Sequence, residues 1–310
     1  MRLFVTGASG HIGSAVVPDL LAAGHTVLGL ARSDASAAAL ATAGVEVQRG
    51  SLDDLDGLRA AAADTDGVIH LAFKHELTYA GEFVRAAEAD LRVIEAIGAA
   101  LAGSDKPFVI TSGTALLAMA APGQLGLETT ALERGPRVDS ENAVVAMAAR
   151  GVRSSVIRLP PTVHSSLDHG GFVPTLIAMA RKNGVSVYVG DGANRWPAVH
   201  TLDAARLYRL AVESAPAGAR LHGVAEQGVP FRKIAEAIGR GLGLPAVSIT
   251  PAEAGKYLGF LATFVQVDNP SSSAATRALL KWEPAHAELL ADLDERHYFE
   301  AIGSTGGPQK

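Results

Sequence analysis

The chain opens on Met1-Arg2-Leu3-Phe4-Val5-Thr6-Gly7-Ala8-Ser9-Gly10-His11-Ile12-Gly13, an apolar strand running straight into three glycines, with a helical pattern behind them. Glycines spaced Gly-x-x-Gly-x-x-Gly between a strand and a helix predict a turn that binds the phosphates of a dinucleotide. Gly7 permits the tight turn, Gly10 lets the backbone approach a pyrophosphate, and Gly13 lets the helix pack closely on the strand. The pyrophosphate then meets a helix N-terminus, where free amides and the helix dipole favour negative charge. Ser9, His11 and Ile12 lie inside the turn and count with the glycines as cofactor contacts.

Behind the turn, strands and helices alternate. Apolar runs at Leu3 to Val5, Thr26 to Leu30, Val45 to Val47, Gly67 to Leu71, Phe108 to Ile110 and Ser155 to Leu159 predict buried parallel strands separated by helices. Six such units predict an α/β fold of the Rossmann type, a doubly wound parallel sheet. After Pro160-Pro161 the rhythm breaks up. Helices are expected near Phe172 to Lys182, Leu202 to Glu213, Phe231 to Gly241, Ala252 to Leu261 and His286 to Phe299, with short strands near Val185 to Val189 and Arg220 to Val224. This divides the chain into a dinucleotide-binding domain over 1–159, a smaller C-terminal substrate domain over 160–302 with some segments returning to the sheet, and a frayed tail over 303–310.

Charge and cysteine content narrow the function classes. A net charge of -5 without a long basic run argues against nucleic acid as a partner. The absence of cysteine excludes disulfides, thiolate metal sites and a cysteine nucleophile. The ten histidines show no metal-ligand spacing, so no metal is assigned. An N-terminus that is already strand and turn leaves no room for a signal segment, and no apolar run approaches the ~20 residues that span a bilayer. A cytoplasmic protein without a membrane partner is expected.

The end of the second strand selects the cofactor. A site for NAD usually carries an acid there, ~20 residues past the glycine turn. This chain has Ala31-Arg32-Ser33 instead. A forked guanidinium and a hydroxyl suit the 2'-phosphate of NADP. Arg32 is otherwise an ordinary surface arginine, and Asp34 keeps NAD in play.

The glycine turn, Arg32-Ser33, the segment Gly50-Ser51-Leu52-Asp53-Asp54, the strand Val68-Ile69-His70-Leu71-Ala72 and the run Val109-Ile110-Thr111-Ser112-Gly113-Thr114 together resemble the extended short-chain dehydrogenase/reductase (epimerase/dehydratase) superfamily. The resemblance covers most of the chain. It implies that Ser51 and Leu52 flank the adenine, although an aspartate is usual where Ser51 stands, and that Leu71, Ala72 and Phe73 lie along the cofactor. Arg158-Leu159-Pro160-Pro161-Thr162-Val163-His164 resembles the segment that passes the nicotinamide, which brings Pro160 to the cofactor. A small-molecule substrate is implied, and a homodimer is compatible with the resemblance.

The catalytic signature of that superfamily, Tyr-x-x-x-Lys, is missing: none of the five tyrosines has lysine four residues later. Lining up Ser140 with the serine before the family's lysine puts Arg137 in the tyrosine's place and Glu141 in the lysine's. This resembles an atypical subgroup. At i, i+4 the two either form a helix-surface ion pair worth ~0.3–0.5 kcal/mol or face the cleft, with Glu141 orienting Arg137 to polarise a substrate oxygen.

Arginine stays protonated, so the proton must come from another group. Ser112 follows the fifth strand and is either a catalytic hydroxyl or a turn cap. Thr114 stands close to that position as a substrate contact. His75 lies in the loop after the fourth strand, where ligands bind in this architecture, and is either a donor near its ordinary pKa of ~6.5 or a solvated loop residue. His164 is placed beside the nicotinamide, with His200 a weaker candidate and His70 a core residue. Arg195 and Trp196 sit in a turn-rich segment resembling the family's substrate loop, with a packed hairpin as the alternative. Phe172, Phe260 and Phe264 suit either an apolar pocket wall or the core. Two function classes remain open: an NADP-dependent reductase of a small carbonyl compound, and a cofactor-binding sensor without catalysis. A sugar-nucleotide epimerase is a third and weaker option, since that chemistry in the resembled family leans on the missing tyrosine.

Overall fold

Strands buried on both faces need apolar side chains at every position, and the first strand has them: Leu3, Phe4 and Val5 are fully buried. In the computed structural model of the protein, which describes residues 1–300, the strands are β1 (Arg2–Thr6), β2 (Thr26–Ala31), β3 (Glu46–Arg49), β4 (Gly67–His70), β5 (Pro107–Gly113), β6 (Arg153–Leu159), β7 (Thr162–His164), β8 (Ser186–Val189), β9 (Arg195–His200), β10 (Ala219–His222), β11 (Glu226–Pro230) and β12 (Ala246–Ile249). Seven of them form one sheet, wholly parallel, in the order β10-β6-β5-β4-β1-β2-β3. Strand alternation divides the core. Leu3, Val5, Ile69 and Val109 pack with the helices Gly13–Ala22 and Thr201–Ser214, whereas Phe4, Val68, Phe108 and Ile110 pack with Leu55–Ala63, Phe83–Leu101 and Val138–Ala146.

The sheet has one strand more than the six units that the sequence predicts. β10 joins its edge from the later half of the chain, preceded by the helix Thr201–Ser214. The chain leaves the large sheet at the end of β6 and again at the end of β10, and the two excursions together build the small sheet β11-β9-β7 and the pair β12-β8 and enclose a second core around Trp196, Phe231, Ile234 and Leu289. The small half therefore stands at the carboxyl end of the large sheet. Polar contacts stitch the two together: Asn269 donates to the Thr114 hydroxyl at 3.0 Å, and the Gly123 and Gly126 amides donate to the Asp268 and Pro270 carbonyls.

The helix expected over His286 to Phe299 is confined to Leu289–Asp294. Arg296 has a φ of 68°, which an α-helix cannot accommodate. The tail over 303–310 and the end of the 160–302 division lie outside the described residues. Among the described residues, no helix is long and apolar enough to cross a membrane.

Candidate active site

The strand order reverses direction at β1, whose neighbours are β2 and β4. Ligands of open parallel sheets bind at such a switch point, beyond the carboxyl ends of the strands. Two segments meet there so closely that a side chain on Gly7, at φ 70°, would come within 2.8 Å of the Ala72 amide nitrogen. A Cβ on Gly13 would stand 2.1 Å from the Gly7 carbonyl oxygen. The two outer glycines are thus steric requirements of the turn. The helix Gly13–Ala22 begins without a side-chain cap; its Ser14 and Ala15 amides donate to the Gly10 and Ile12 carbonyls, so an anion here meets the amides of the turn that precede them. Ser9 and Gly10 are exposed and Ile12 is half-buried beside them. The His11 ring turns away to Thr201, 3.0 Å from its hydroxyl, and burial followed by the charges of His169 and His164 pushes its pKa down to about 4.

Along the same edge, Ser51, Leu52, Leu71, Ala72 and Phe73 are half-buried. Lys74 bridges from the β4 end to Asp53 at 2.6 Å, and Pro160 is buried where β6 turns into β7. Arg32 extends into solvent with its side chain 77% exposed, 3.5 Å from Glu76. The Ser33 hydroxyl caps the helix Asp34–Thr42 in a capping box with Ser36. Arg49, which the sequence reading did not single out because it ended the third strand at Val47, donates to the Ser33 carbonyl and pairs with Asp34 at 2.8 Å. The one acid near the second strand's end is therefore matched by a guanidinium.

Glu141 does not pair with Arg137, so the surface ion pair and the orienting role expected of Glu141 are both corrected. The Glu141 carboxylate is buried and receives Arg158 from β6, with Nη2 at 2.6 Å and Nε at 3.1 Å from its oxygens. Ser112 donates its hydroxyl proton to the same carboxylate, so it faces the interior rather than the cleft. Its neighbour Thr111 points to the opposite face, bonded to the buried Tyr208 hydroxyl at 2.7 Å. Successive strand residues alternate in this way, and the register decides which one faces the ligand.

Arg137 stands alone at the N-terminus of the helix Val138–Ala146, in the left-handed region with φ 63°. Its guanidinium donates to the Thr111 carbonyl and lies 4.3 Å above the centre of the Phe73 ring. Behind it runs a buried chain: the Thr6 hydroxyl contacts His70 Nδ1 at 2.7 Å, His70 Nε2 contacts Asp90 at 3.2 Å, and Ser140 donates to Asp90 at 3.0 Å. Burial alone would raise the Asp90 pKa, but the Arg137 charge and the bonds from His70 and Ser140 hold it below the usual carboxylate range. His75 keeps solvent access at the rim, its ring 5.3 Å from Phe73. The protein packed around it, and then the Arg137 charge, hold its pKa below the usual histidine value.

The four expected substrate contacts are engaged elsewhere. Thr114 is fully buried on Asn269, and His164 is fully buried with Nδ1 2.9 Å from Asp292. Arg195 is held by both Asp268 oxygens at 2.7 and 3.0 Å, and Trp196 is buried with its indole donating to the Phe264 carbonyl. Asn269, Asp90 and Arg49 are the polar residues that the sequence reading missed. Among the described residues Asp292, Glu295 and His297 bring one potential ligand atom each within 4.8 Å of one another, a grouping the spacing of histidines does not reveal.

Comparison with known proteins agrees with this architecture. The model of the NAD dependent epimerase/dehydratase family matches residues 3–222, and the chain belongs to that family. An uncharacterized protein of Schizosaccharomyces pombe is 48% identical over 301 residues, covering 96% of this chain and 100% of its own length. The 2'-dehydrokanamycin reductase of Streptomyces kanamyceticus is 29% identical over 259 residues, covering 82% of this chain and 70% of that protein. A dTDP-glucose 4,6-dehydratase from Streptomyces venezuelae, solved with NAD bound, superposes with a TM-score of 0.75 at 20% identity over 98% of both chains. Within this family of NAD(P)-dependent oxidoreductases and epimerases, the chain lacks the Tyr-x-x-x-Lys pair.

Proposed function

We propose that the protein is an NADP-dependent reductase of small carbonyl compounds in which Arg137 takes over the polarising role of the missing tyrosine. The observation that carries this reading is the position of Arg137: a guanidinium anchored by the Thr111 carbonyl and stacked on Phe73 at the carboxyl edge of the sheet, free of any carboxylate partner within salt-bridge distance among the described residues. Its remaining donors can hold a substrate oxygen.

The residues at the switch point fit a dinucleotide. The glycine turn at the helix start holds the pyrophosphate, while Arg32 holds the 2'-phosphate, with Asp34 neutralised by Arg49. Bound in its reduced form, the cofactor supplies the hydride. Arg137 stabilises the negative charge that develops on the carbonyl oxygen, an interaction stronger in the transition state than in the ground state. His75 delivers the proton that converts the alkoxide to the alcohol and recovers it from solvent at the rim. Ser112 is excluded as donor because its proton is committed to Glu141.

The engagement of Arg195 by Asp268 speaks against a sugar nucleotide, because the cation of that substrate loop is not free to meet a diphosphate. A sensor reading is favoured by one fact, the withdrawal of Glu141 from the cleft. Purified protein incubated with NADPH and a panel of aldehydes and ketones, followed by loss of the reduced-nicotinamide absorbance, separates the two. Oxidation by at least one carbonyl, slowed in Arg137→Met with NADPH affinity retained, supports the reductase. Tight NADPH binding without oxidation by any of them supports the sensor.

A further inference from the structure

The Arg137 guanidinium is one end of a continuous row of rings that leads out of the site and crosses to the other half of the molecule. Phe73 lies under Arg137, His75 meets Phe73 edge-on at 5.3 Å, Tyr79 stacks on His75 at 6.3 Å, and Phe260 meets Tyr79 edge-on at 5.7 Å. The first three rings follow β4 and the last belongs to the short helical turn Gly259–Leu261 of the small half. From the row and the cation at its inner end we infer the substrate class: carbonyl compounds whose carbonyl is flanked by a flat aryl or extended apolar group, the carbonyl held by Arg137 and the apolar group lying along Phe73, Tyr79 and Phe260.

Single apolar residues on a surface are ordinary. This row differs in being contiguous and in ending on the polarising cation, and its outer members stay open, Tyr79 at 60% and Phe260 at 51% exposure. Open ring faces beside a cleft supply stacking area that water fills poorly. The other aromatics of the small half do not offer it: Phe172 and Phe264 pack on the buried Trp196 and its core. Charge along the loop points the same way. Lys74 is spent on Asp53 and Arg32 lies near Glu76, both towards the second and third strands. Recognition along the row is by area and shape, with Arg137 fixing the oxygen.

This inference rests on the reductase reading, and the test separates the two. The full chain with NADPH is assayed with 2-naphthaldehyde and with propanal, in parent protein, Phe260→Ala and Phe260→Tyr. In a second arm, binding of 2-naphthaldehyde to the NADP-loaded protein is read by saturation-transfer NMR. The expected result is a kcat/KM ratio that favours the aryl aldehyde in the parent by about tenfold or more, falls by about tenfold in Phe260→Ala mainly through KM, and is largely restored in Phe260→Tyr. Aryl binding that weakens in Phe260→Ala, without turnover in any protein, supports the row and removes the reductase. A parent that reduces both aldehydes equally well, or a Phe260→Ala variant whose ratio and aryl binding are unchanged, overturns the row and leaves the reductase standing.

Discussion

Replacing Glu141 with alanine separates the two descriptions of that residue by an order of magnitude. In the structure the Glu141 and Arg158 side chains are 3% and 0% exposed, and three bonds join them while Ser112 donates to the same carboxylate. Glu141→Ala leaves a guanidinium in the interior with only the Thr130 carbonyl and His222 to contact, and a serine hydroxyl without its acceptor. Breaking a buried pair on one side costs ~3–5 kcal/mol, because the surviving charge stays desolvated. A helix-surface pair with Arg137 is worth ~0.3–0.5 kcal/mol. Urea denaturation followed by circular dichroism reads the difference directly, and a thermal scan should show a drop of roughly 6–20 °C at about 2–4 °C per kcal/mol. Glu141→Met combined with Arg158→Met should recover much of the loss, since an apolar pair of similar volume leaves no buried charge. A Glu141→Ala loss below about 1 kcal/mol would refute the buried-pair account.

Four further outcomes follow from the same geometry. Arg32→Asp should weaken NADPH binding far more than NADH binding in calorimetry, by roughly the tenfold or more that one lost phosphate contact and one new repulsion produce; equal losses remove Arg32 from the 2'-phosphate. Arg137→Met should lower kcat and kcat/KM together by about tenfold or more and move the alkaline limb of the turnover profile to higher pH, because His75 must be protonated to donate and, of the two causes that depress its pKa, burial first and the Arg137 charge next, the second is gone; an unchanged profile separates His75 from the chemistry. Stability should fall as pH drops from about 6.5 towards 4. His11 and His200 are both held down to about 4 by burial and, next, by neighbouring histidines, so the unfolded chain takes up protons first. Asp168, raised to about 6 by burial, opposes this over the lower part of the range, and a flat urea midpoint between pH 6.5 and 4.5 contradicts the net balance. Gly13→Ala should abolish cofactor binding, since its methyl would stand 2.1 Å from a backbone oxygen; near-parental affinity in calorimetry contradicts that steric reading.

How much of this was legible in the chain depended on the range of the interactions. The glycine turn and the strands that follow are local patterns, and their apolar runs and turn chemistry survive folding unchanged. The partner of Glu141 was not legible. Helix spacing offers Arg137 as its neighbour, whereas Arg158 is 17 residues away on a strand whose facing is fixed only by register. The same alternation sends Ser112 inward and Thr111 to Tyr208. Asn269 lies 155 residues from Thr114 and carries no motif, so its role at the seam follows only from the way the small half closes on the sheet. Arg49 stood two residues beyond the expected end of its strand, close enough to have been found by asking which cation balances Asp34.

In the proposed reaction a hydride passes from the cofactor to a carbonyl carbon held by Arg137. NADPH carrying deuterium at nicotinamide C4, prepared separately in each of the two stereochemical forms, tests it when each is incubated with the protein and a reducible aldehyde and the alcohol is analysed by mass spectrometry. One form should give an alcohol with one deuterium on the former carbonyl carbon and the other should give none, with Arg137→Met slowing the transfer without changing its face. Alcohol formed without deuterium from either form, or NADPH bound and left unoxidised by every aldehyde and ketone tried, contradicts it.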